Sequence, residues 1–249
     1  MITVVVPVFN EKDNILPLLQ EIDAAAKTLP ITEIIYVDDK STDESFALLT
    51  THKAQYPALR ALRHGSQSGQ SAALWTGIEA ARNDLIVTMD GDGQNNPADI
   101  AILFEAWQKN KAVTPKMIVL GEREKRHDNI IRRLSSRTAN GVRAALLKDQ
   151  TADTGCSLKL FRRQDYLRLP YFDHMHRFLP ALMMREGVRL VHKKVSHRPR
   201  VHGVSKYGML DRLLVGISDL LGVWWLQRRN RRTDAIEEAP DSLEQRKVS

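Results

Sequence analysis

Short runs of β-branched and other apolar residues, separated by segments of helical periodicity, constrain the fold of this chain more than any other feature. Residues 2–6 (ITVVV) and 33–37 (EIIYV) lack an apolar–polar alternation, which is typical of strands buried on both faces of a sheet. Apolar residues at helical spacing predict a helix over 11–27 between them. The alternation continues with strands near 59–63, 85–89 and 117–120, and with helices over 41–51, over 71–81 and after Pro97. We therefore predict an α/β fold, a doubly wound, mostly parallel sheet with flanking helices and right-handed crossovers.

Acidic and amide side chains follow three of these predicted strands, in the segments 7–11 (PVFNE), 38–43 (DDKSTD) and 90–94 (DGDGQ). Ligands of such sheets bind at the carboxyl ends of the strands. Carboxylates crowded at one edge cost free energy unless a cation offsets their charge. Asp90, Asp92 and Gln94 offer the oxygen ligands that suit Mg²⁺ or Mn²⁺. For Asp43 alone, a role in the polar loop or as a helix cap is favoured.

The sequence lacks two common phosphate-binding motifs. No Gly-x-Gly-x-x-Gly follows the first strand, and there is no Walker A sequence. Residues 65–71 (GSQSGQS) are interpreted as a turn and helix start, with approach to a phosphate as the alternative. Aspartates that hold a nucleotide through a divalent ion suit an enzyme that uses a nucleotide-sugar, because the ion offsets charge on the departing diphosphate.

Charge is distributed unevenly along the chain, whose formal net charge is +7. The first 100 residues hold 7 Lys/Arg and 14 Asp/Glu, and the remaining residues hold 30 and 16. This polarity suggests that one half binds through carboxylates and the other through cations. Arg132, Ser136 and Asn140 are spaced four residues apart on a helix predicted over 129–147, so they share a face that suits a phosphate. The cations that could complete this basic pocket are Arg123, Arg198, Arg200 and Lys206, and a solvated surface charge is the alternative for each.

A phosphate acceptor would remove the need for a catalytic base. With a second pKa of about 6, a phosphate is already anionic at neutral pH and its oxygen can attack directly. If the acceptor is instead a sugar hydroxyl, a carboxylate base becomes necessary, and Asp153 is the candidate.

Residues 4–11 (VVVPVFNE), 37–43 (VDDKSTD) and 89–94 (MDGDGQ) together resemble family 2 glycosyltransferases, which have the GT-A fold. The similarity is greatest to the dolichol-phosphate mannosyltransferase type and extends through 153–156 (DTGC) and 197–207 (HRPRVHGVSKY), covering about residues 1–210. The resemblance implies a hexosyltransferase that moves a sugar with inversion from a GDP- or UDP-linked donor to a polyprenyl phosphate of the dolichyl or undecaprenyl type, with Mg²⁺ or Mn²⁺ as cofactor.

The same resemblance implies roles for individual residues. Those implied to bind the nucleotide-sugar are Pro7, Phe9, Asn10, Glu11, Val37, Asp39, Asp90, Gly91, Asp92 and Gln94. The implied metal ligands are Asp90, Asp92 and Gln94, and the implied acceptor-phosphate residues are Arg123, Arg132, Ser136, Arg200 and Lys206. Catalysis is expected of Asp92, Arg132, Arg200 and Lys206. His176 and Arg177 are implied to lie beside the acceptor, with packing or an indirect hydrogen bond as the alternative for His176. The sequence departs from the family at Lys40, where Gly is common, and at Gly91 and Gly93, where Ala and Leu are common.

The carboxy-terminal segment bears on the location of the protein. Residues 205–232 predict an amphipathic helix followed by an Arg cluster, which suits the interface of an anionic membrane, and a core or dimer helix is the alternative. Residues 1–204 are expected to form the catalytic domain, with a nucleotide-sugar half over 1–121 and an acceptor half over 122–204. The acidic tail over 233–249 is expected to be disordered.

We expect a cytoplasmic protein that is peripheral on the cytosolic face of the membrane. No charge-free apolar stretch approaches the ~20 residues of a membrane span, and the single cysteine, Cys156, excludes an intrachain disulfide. Two alternative functions remain at this stage. One is a family 2 enzyme that acts on a saccharide hydroxyl in polysaccharide synthesis, and the other is a basic nucleic-acid-binding module, which the acidic first half and the low aromatic content disfavour.

Overall fold

The computed structural model describes residues 1–123, 143, 146–149, 151, 153–199 and 209–229. Within these residues one mixed sheet holds the strands β1 (Ile2–Val8), β2 (Ile31–Asp38), β3 (Leu59–Arg63), β4 (Leu85–Thr88), β5 (Met117–Arg123), β6 (Lys159–Arg162) and β7 (Arg189–Val195). Their order across the sheet is β3-β2-β1-β4-β6-β5-β7. The helices are α1 (Lys12–Ala26), α2 (Ser45–His52), α3 (Gln70–Ala80), α4 (Ile100–Asn110), α5 (Arg163–Leu167), α6 (Leu179–Arg185) and α7 (Met209–Arg228). Single 3₁₀ turns form at Pro97–Asp99 and Met175–Phe178.

The predicted doubly wound, mostly parallel sheet is confirmed. Strand β1 pairs in parallel with β2 and β4, β2 with β3, and β5 with β7. Strand β6 is the exception, because it runs antiparallel to both β4 and β5. Neither β6 nor β7 was predicted from the sequence. Strand β6 has only four residues, and β7 (RLVHKKV) carries three basic side chains, so neither presents an apolar run.

Helices cover both faces of the sheet, which explains the unbroken apolar runs. Along β1, Val4 and Val6 pack with the apolar face of α1 and α4, whereas Val5 packs with α3 on the opposite face. Helix α3 lies close to the strands because Gly77 has no side chain. A Cβ atom built on Gly77 would lie 2.5 Å from Val5 Cγ1 and 3.0 Å from Val37 Cγ2. This close contact holds α3 against β1 and β2.

The chain crosses from one side of β1 to the other between β3 and β4, so the carboxyl ends of β1 and β4 border a topological switch point. The loops that follow these strands are therefore in the position where open α/β sheets bind ligands. The loop after β1 contains residues 9–11, and the loop after β4 contains residues 89–96.

Over residues 216–228, whose side chains are described, helix α7 packs on the body of the protein along one side. Val223 is buried, and Leu220, Trp224 and Leu226 pack partly against the same apolar cluster as α6. The Arg185 Nε–H donates to the Leu226 carbonyl at 3.0 Å and fastens the carboxyl end of the helix. None of the helices among the described residues is long and apolar enough to cross a membrane. Most of the helix predicted over 129–147, and the tail over 233–249, lie outside the described residues.

Candidate active site

An open cavity of about 840 Å³ lies where α3, the loop after β4 and the start of β6 meet. Its lining includes one carboxylate of the predicted metal site, Asp90, together with Gln94. The same cavity is lined by three cations that come from different parts of the second half of the chain: Arg123, Lys159 and Arg177. Acidic and basic groups thus share one space at the expected edge of the sheet.

The loop of residues 90–94 is held against β1 by glycine. A Cβ atom on Gly91 would lie 2.6 Å from Val8 Cγ1 and 3.0 Å from the Pro7 carbonyl oxygen. Gly93 has a φ of +74°, a left-handed conformation that glycine adopts at no steric cost. Asp92 is buried, and its Oδ1 accepts from the Gln94 N–H at 3.1 Å. The two glycines that depart from the resembled family are therefore required by the local backbone of this chain.

Asp90 contacts residues from both the first and the second half of the chain. Its backbone N–H is within hydrogen-bonding distance of Asn95 Oδ1 and Ser157 Oγ, and its Oδ1 accepts from Gln70 Nε2 at 2.7 Å. Burial, together with the neighbouring charge of Asp92, raises the pKa of Asp90 to about 6. A carboxyl group in this setting is stabilised by a proton or by a cation.

These residues fit a divalent ion bound together with a ligand. The test of this fit is the chemistry of the donors. No cluster of three or more His, Cys, Asp or Glu residues capable of holding a metal occurs in the described part of the chain. Asp90 and Asp92 supply carboxylate oxygens and Gln94 an amide oxygen. Mg²⁺ typically takes one or two carboxylates and fills its other positions with water and substrate phosphate. The donor set therefore matches an ion that arrives with a diphosphate.

Asp39, implied to bind the nucleotide, holds the loop after β3 in this structure. Its Oδ1 and Oδ2 accept the N–H groups of Ser68 and Gly69, each at 2.8 Å, and its Oδ1 also lies 2.7 Å from His64 Nδ1. Ser68 and Gly69 line the cavity. Asp39 thus positions the Gly/Ser-rich loop at the rim, and its contact with a nucleotide stays a prediction.

The other residues implied to bind the nucleotide lie at the same end of the sheet, beside the cavity. Pro7 and Val37 are paired neighbours on β1 and β2. Asn10 Oδ1 accepts from the Thr42 N–H at 2.7 Å, and the Glu11 N–H donates to Ser45 Oγ at 3.0 Å. Phe9 directly follows β1 and is half-buried. Asp90 and Gln94 are the members of the implied set that line the cavity itself.

Two polar residues of the 38–43 loop have local explanations. Lys40 has a φ of +64°, a left-handed conformation that glycine adopts at no steric cost. This explains why glycine is common at this position in the resembled family. Asp43 Oδ1 accepts from the Ser45 N–H at 3.0 Å, and its Oδ2 accepts from the Lys12 N–H at 3.3 Å. Asp43 therefore takes the structural role that the sequence favoured.

On the basic side of the cavity, Arg123 and Asp153 form a bidentate ion pair. Arg123 Nε and Nη2 each lie 2.6 Å from an oxygen of Asp153. Both carboxylate oxygens of the candidate base are therefore engaged by a guanidinium. Lys159 is buried, its Nζ donates to the Cys156 carbonyl, and burial lowers its pKa. Cys156 is buried as expected.

Several predicted acceptor residues are not tested. Arg132, Ser136, Arg200 and Lys206 lie outside the described residues. Arg198 is described, and its guanidinium contacts Glu21 at 2.8 Å and Asn96 Oδ1 at 2.8 Å, so it fastens α1 to the loop after β4. It does not line the cavity. The expectation that Arg198 completes a basic pocket is not supported by this geometry.

The sequence reasoning missed Gln70, Ser157, Lys159 and Tyr166 as cavity residues. For Lys159 the sequence did offer a sign of its role, because it lies between Leu158 and Leu160. If such a strand is buried, the lysine ammonium has to reach a polar partner. Gln70 and Ser157 carried none, because their partners are brought together by the fold.

Residues 3–169 of the chain match the family model "Glycosyl transferase family 2". Dodecaprenyl-phosphate galacturonate synthase of Rhizobium johnstonii is 35% identical over 236 residues, which cover 93% of this chain and 68% of the relative. Undecaprenyl-phosphate 4-deoxy-4-formamido-L-arabinose transferase of Edwardsiella ictaluri is 32% identical over 212 residues, covering 84% of this chain and 63% of the relative. The chain thus spans about two thirds of the length of these relatives.

Solved structures support the fold. Mannosyl-3-phosphoglycerate synthase from Rubrobacter xylanophilus superposes with a TM-score of 0.69 at 16% identity, covering 98% of this chain and 79% of that one. Glucosyl-3-phosphoglycerate synthase from Mycobacterium tuberculosis, solved with Mg²⁺ and uridine diphosphate, gives a TM-score of 0.62 at 17% identity, covering 94% and 81%. At these identities the likeness is one of fold, and it confirms the predicted GT-A architecture.

Proposed function

The chain belongs to glycosyl transferase family 2, and from that premise we propose that it transfers a sugar, with inversion, from a nucleoside-diphosphate sugar to a polyprenyl phosphate. One observation carries the proposal, namely that a single cavity is lined by Asp90 and Gln94 and by the three cations Arg123, Lys159 and Arg177. Relatives that are 32–35% identical are named as transferases of sugars to dodecaprenyl or undecaprenyl phosphate. Membership of a transferase family favours the enzyme alternatives over a nucleic-acid-binding module.

The acidic side of the cavity binds the donor. Asp90, Asp92 and Gln94 are the residues that would hold Mg²⁺ or Mn²⁺, and the bound ion would neutralise charge on the departing diphosphate. Gln70 holds the Asp90 carboxylate by a hydrogen bond of 2.7 Å, and Ser157 and Asn95 hold its backbone. The carboxylate is thus oriented before the ligand arrives, which reduces the reorganisation needed during transfer.

The basic side binds the acceptor. A phosphate oxygen of the lipid forms the new bond to C1 of the sugar while the bond from C1 to the diphosphate oxygen breaks, and the nucleoside diphosphate leaves. The acceptor is already anionic at neutral pH, so Arg123, Lys159 and Arg177 only need to attract and position it. Because both oxygens of Asp153 are held by Arg123, Asp153 is poorly arranged to act as the base that a hydroxyl acceptor would require.

Helix α7 supports a peripheral position on an anionic membrane, for which we propose the cytosolic face. Its outward face exposes Ile217, Leu221 and Trp225 at one-turn spacing, and each is 49–54% exposed. Near the carboxyl end, the Arg228 guanidinium lies 4.0 Å from the centre of the Trp224 ring and that of Arg229 lies 5.7 Å from the Trp225 ring. Apolar and aromatic side chains flanked by cations suit the interface of a bilayer.

The polar face of this helix differs from the sequence-based expectation. Asp219 was expected to stay in water with the other polar residues of the helix. Instead its carboxylate is 18% exposed and lies 3.6 Å from His174 Nδ1, on the side of α7 that faces the protein. The outward face is therefore more apolar than the helical wheel alone suggests.

A donor screen against a short polyprenyl phosphate tests the proposed function. We expect a lipid-linked sugar to form with one of the GDP- or UDP-sugars, only in the presence of Mg²⁺ or Mn²⁺, and not with the matching polyprenol. The Asp92→Ala variant should lose transfer while keeping its circular dichroism spectrum. Equal turnover with the alcohol, or full activity in excess chelator, would contradict the proposal.

A further inference from the structure

Ser71 at the start of α3 and His176 in the 3₁₀ turn Met175–Phe178 form a contact that the proposed mechanism does not use. Ser71 Oγ lies 2.7 Å from His176 Nδ1, and the backbone N–H of His176 donates to the same hydroxyl oxygen at 3.3 Å. Ser71 is fully buried, whereas His176 lines the cavity. The residue before Ser71, Gln70, contacts Asp90, so the first turn of α3 reaches both sides of the cavity.

This contact selects one tautomer of His176. The Ser71 hydroxyl has no acceptor other than Nδ1 among the described residues, and a buried O–H that found none would cost free energy. The hydroxyl therefore donates to Nδ1, and the ring proton is on Nε2. Burial and the adjacent Arg177 lower the pKa of His176 to about 3, so the ring is neutral at physiological pH.

The protonated nitrogen is available to a ligand. Within the described part of the chain Nε2 makes no hydrogen bond, and it is not among the unpartnered atoms that are sealed from solvent. The next residue, Arg177, also lines the cavity. Arg177 is close enough to Asp219 for a Coulombic interaction but makes no ion-pair contact with a carboxylate of the described residues. A neutral N–H donor and a cation on consecutive residues thus line the same cavity.

We propose that His176 Nε2–H and the Arg177 guanidinium bind an anionic oxygen of the substrate as a pair, and that Ser71 is the positioning residue that fixes the donor tautomer. The inference rests on the proposed function for the identity of the substrate. Two groups offer this chemistry, the phosphate of the lipid acceptor and the carboxylate of a uronic-acid donor. A neutral imidazole suits the position because it donates a hydrogen bond without adding a further charge beside Arg177 and Lys159.

Kinetics of substituted enzymes distinguish the two sources. His176→Ala should raise KM by about 10- to 100-fold, the range for losing a hydrogen bond to a charged group. A rise in KM for the lipid assigns the phosphate, and a rise for a uronic-acid donor but not for a neutral hexose donor assigns the carboxylate. His176→Gln, which keeps an N–H near the Nε2 position, should recover much of the loss. His52→Gln on α2 is the matched control and should leave both constants unchanged.

A double-mutant cycle tests the positioning role of Ser71. Ser71→Ala should raise the same KM in the wild-type background but have little effect in the His176→Gln background, because the amide has no tautomer to fix. A merely structural role for Ser71 would give equal losses in both backgrounds. Unchanged KM values in His176→Ala, with an active wild type, would overturn the inference and leave the proposed function standing.

Nitrogen NMR of histidine-labelled protein decides the question even if no transfer is found. We expect Nδ1 of His176 in the unprotonated range and Nε2 in the protonated range across pH 5–8, and a shift of Nε2 on titration with inorganic phosphate. Protonation at Nδ1, or the absence of any shift with phosphate, would overturn the inference whatever the enzyme's activity.

Discussion

At the scale of single residues, Asp90 shows how the fold changes the chemistry of a side chain. A carboxyl group with its pKa raised to about 6 holds a proton more tightly in the folded protein than in the unfolded chain. Its contribution therefore favours the metal-free fold at low pH and declines as the pH rises through 6. Above that value the site carries uncompensated negative charge that a bound cation relieves.

We predict that Asp90→Asn raises the melting temperature of the metal-free protein at pH 7.5 and abolishes transfer. The difference should narrow at pH 5, where the carboxyl is mostly protonated in the folded protein, and the two melting temperatures should converge below about pH 4, where the unfolded chain is protonated as well. Thermal unfolding in excess chelator at these pH values checks this, with turnover measured separately. A variant that is less stable than the wild type at pH 7.5 would show that the ionised Asp90 carboxylate does not destabilise the metal-free protein.

At this scale the sequence predicted which residues could bind a metal, but it did not predict the side chains that contact Asp90. Asp90, Asp92 and Gln94 stood out because polar residues directly follow an apolar strand. The contacts of Asp90 with Gln70 and Ser157 join residues 20 and 67 positions away, and no local pattern encodes such pairs. The same holds for Ser71 and His176, which are 105 positions apart.

At the scale of elements, the position of α3 depends on the close contact at Gly77. We predict that Gly77→Ala destabilises the protein by about 1–3 kcal/mol, the usual cost of overpacking, because its methyl group would overlap Val5 and Val37. Urea unfolding with an unchanged m-value measures the effect.

A glycine in α7 provides the matched control. A Cβ atom on Gly222 would meet nothing within 4 Å, so Gly222→Ala should stabilise the helix by about 0.5–1 kcal/mol. Equal effects of the two substitutions would mean that helix propensity, rather than the contact with β1 and β2, controls the response at Gly77.

The outward face of α7 gives a second prediction for an element. Leu221→Gln together with Trp225→Ala should weaken binding to anionic vesicles without lowering the melting temperature, because both side chains are about half exposed. Val113→Gln, at a position that is 85% exposed, is the control for surface polarity. Co-sedimentation with anionic and neutral vesicles measures binding. Unchanged sedimentation of the double variant would remove this face from the membrane contact.

The sequence predicted the helix of α7 but not its orientation. Its apolar residues cover most of the helical wheel, so either side was suited to the protein core. The packing of Val223 and the hydrogen bonds of Gln227 to the carbonyl oxygens of Leu147 and Ala181 select the inner side. These partners come from other elements, and their places depend on the tertiary structure.

At the scale of the whole molecule, the strands β1–β5 and the helices between them followed from the sequence because each is a periodic or apolar segment. Strands β6 and β7 did not. Strand β6 is short, and its direction is set by pairing with β4 and β5 on both sides. Strand β4 is equally short, but its sequence LIVT is apolar, whereas β6 (KLFR) has a basic residue at each end, so local propensity carries little information about it.

The antiparallel direction of β6 has a consequence for how activity arises during folding. Lys159 pairs with Thr88, and the Thr88 hydroxyl donates to the Ser157 carbonyl, a contact between residues 69 positions apart. The pairing of β1 with β4 joins residues that are even farther apart, such as Ile2 and Leu85, and it can form without β6. Lys159 reaches the cavity only when β6 pairs with β4. Transfer therefore requires this second long-range closure, and a nascent chain released before β6 would carry the acidic half of the site without Lys159.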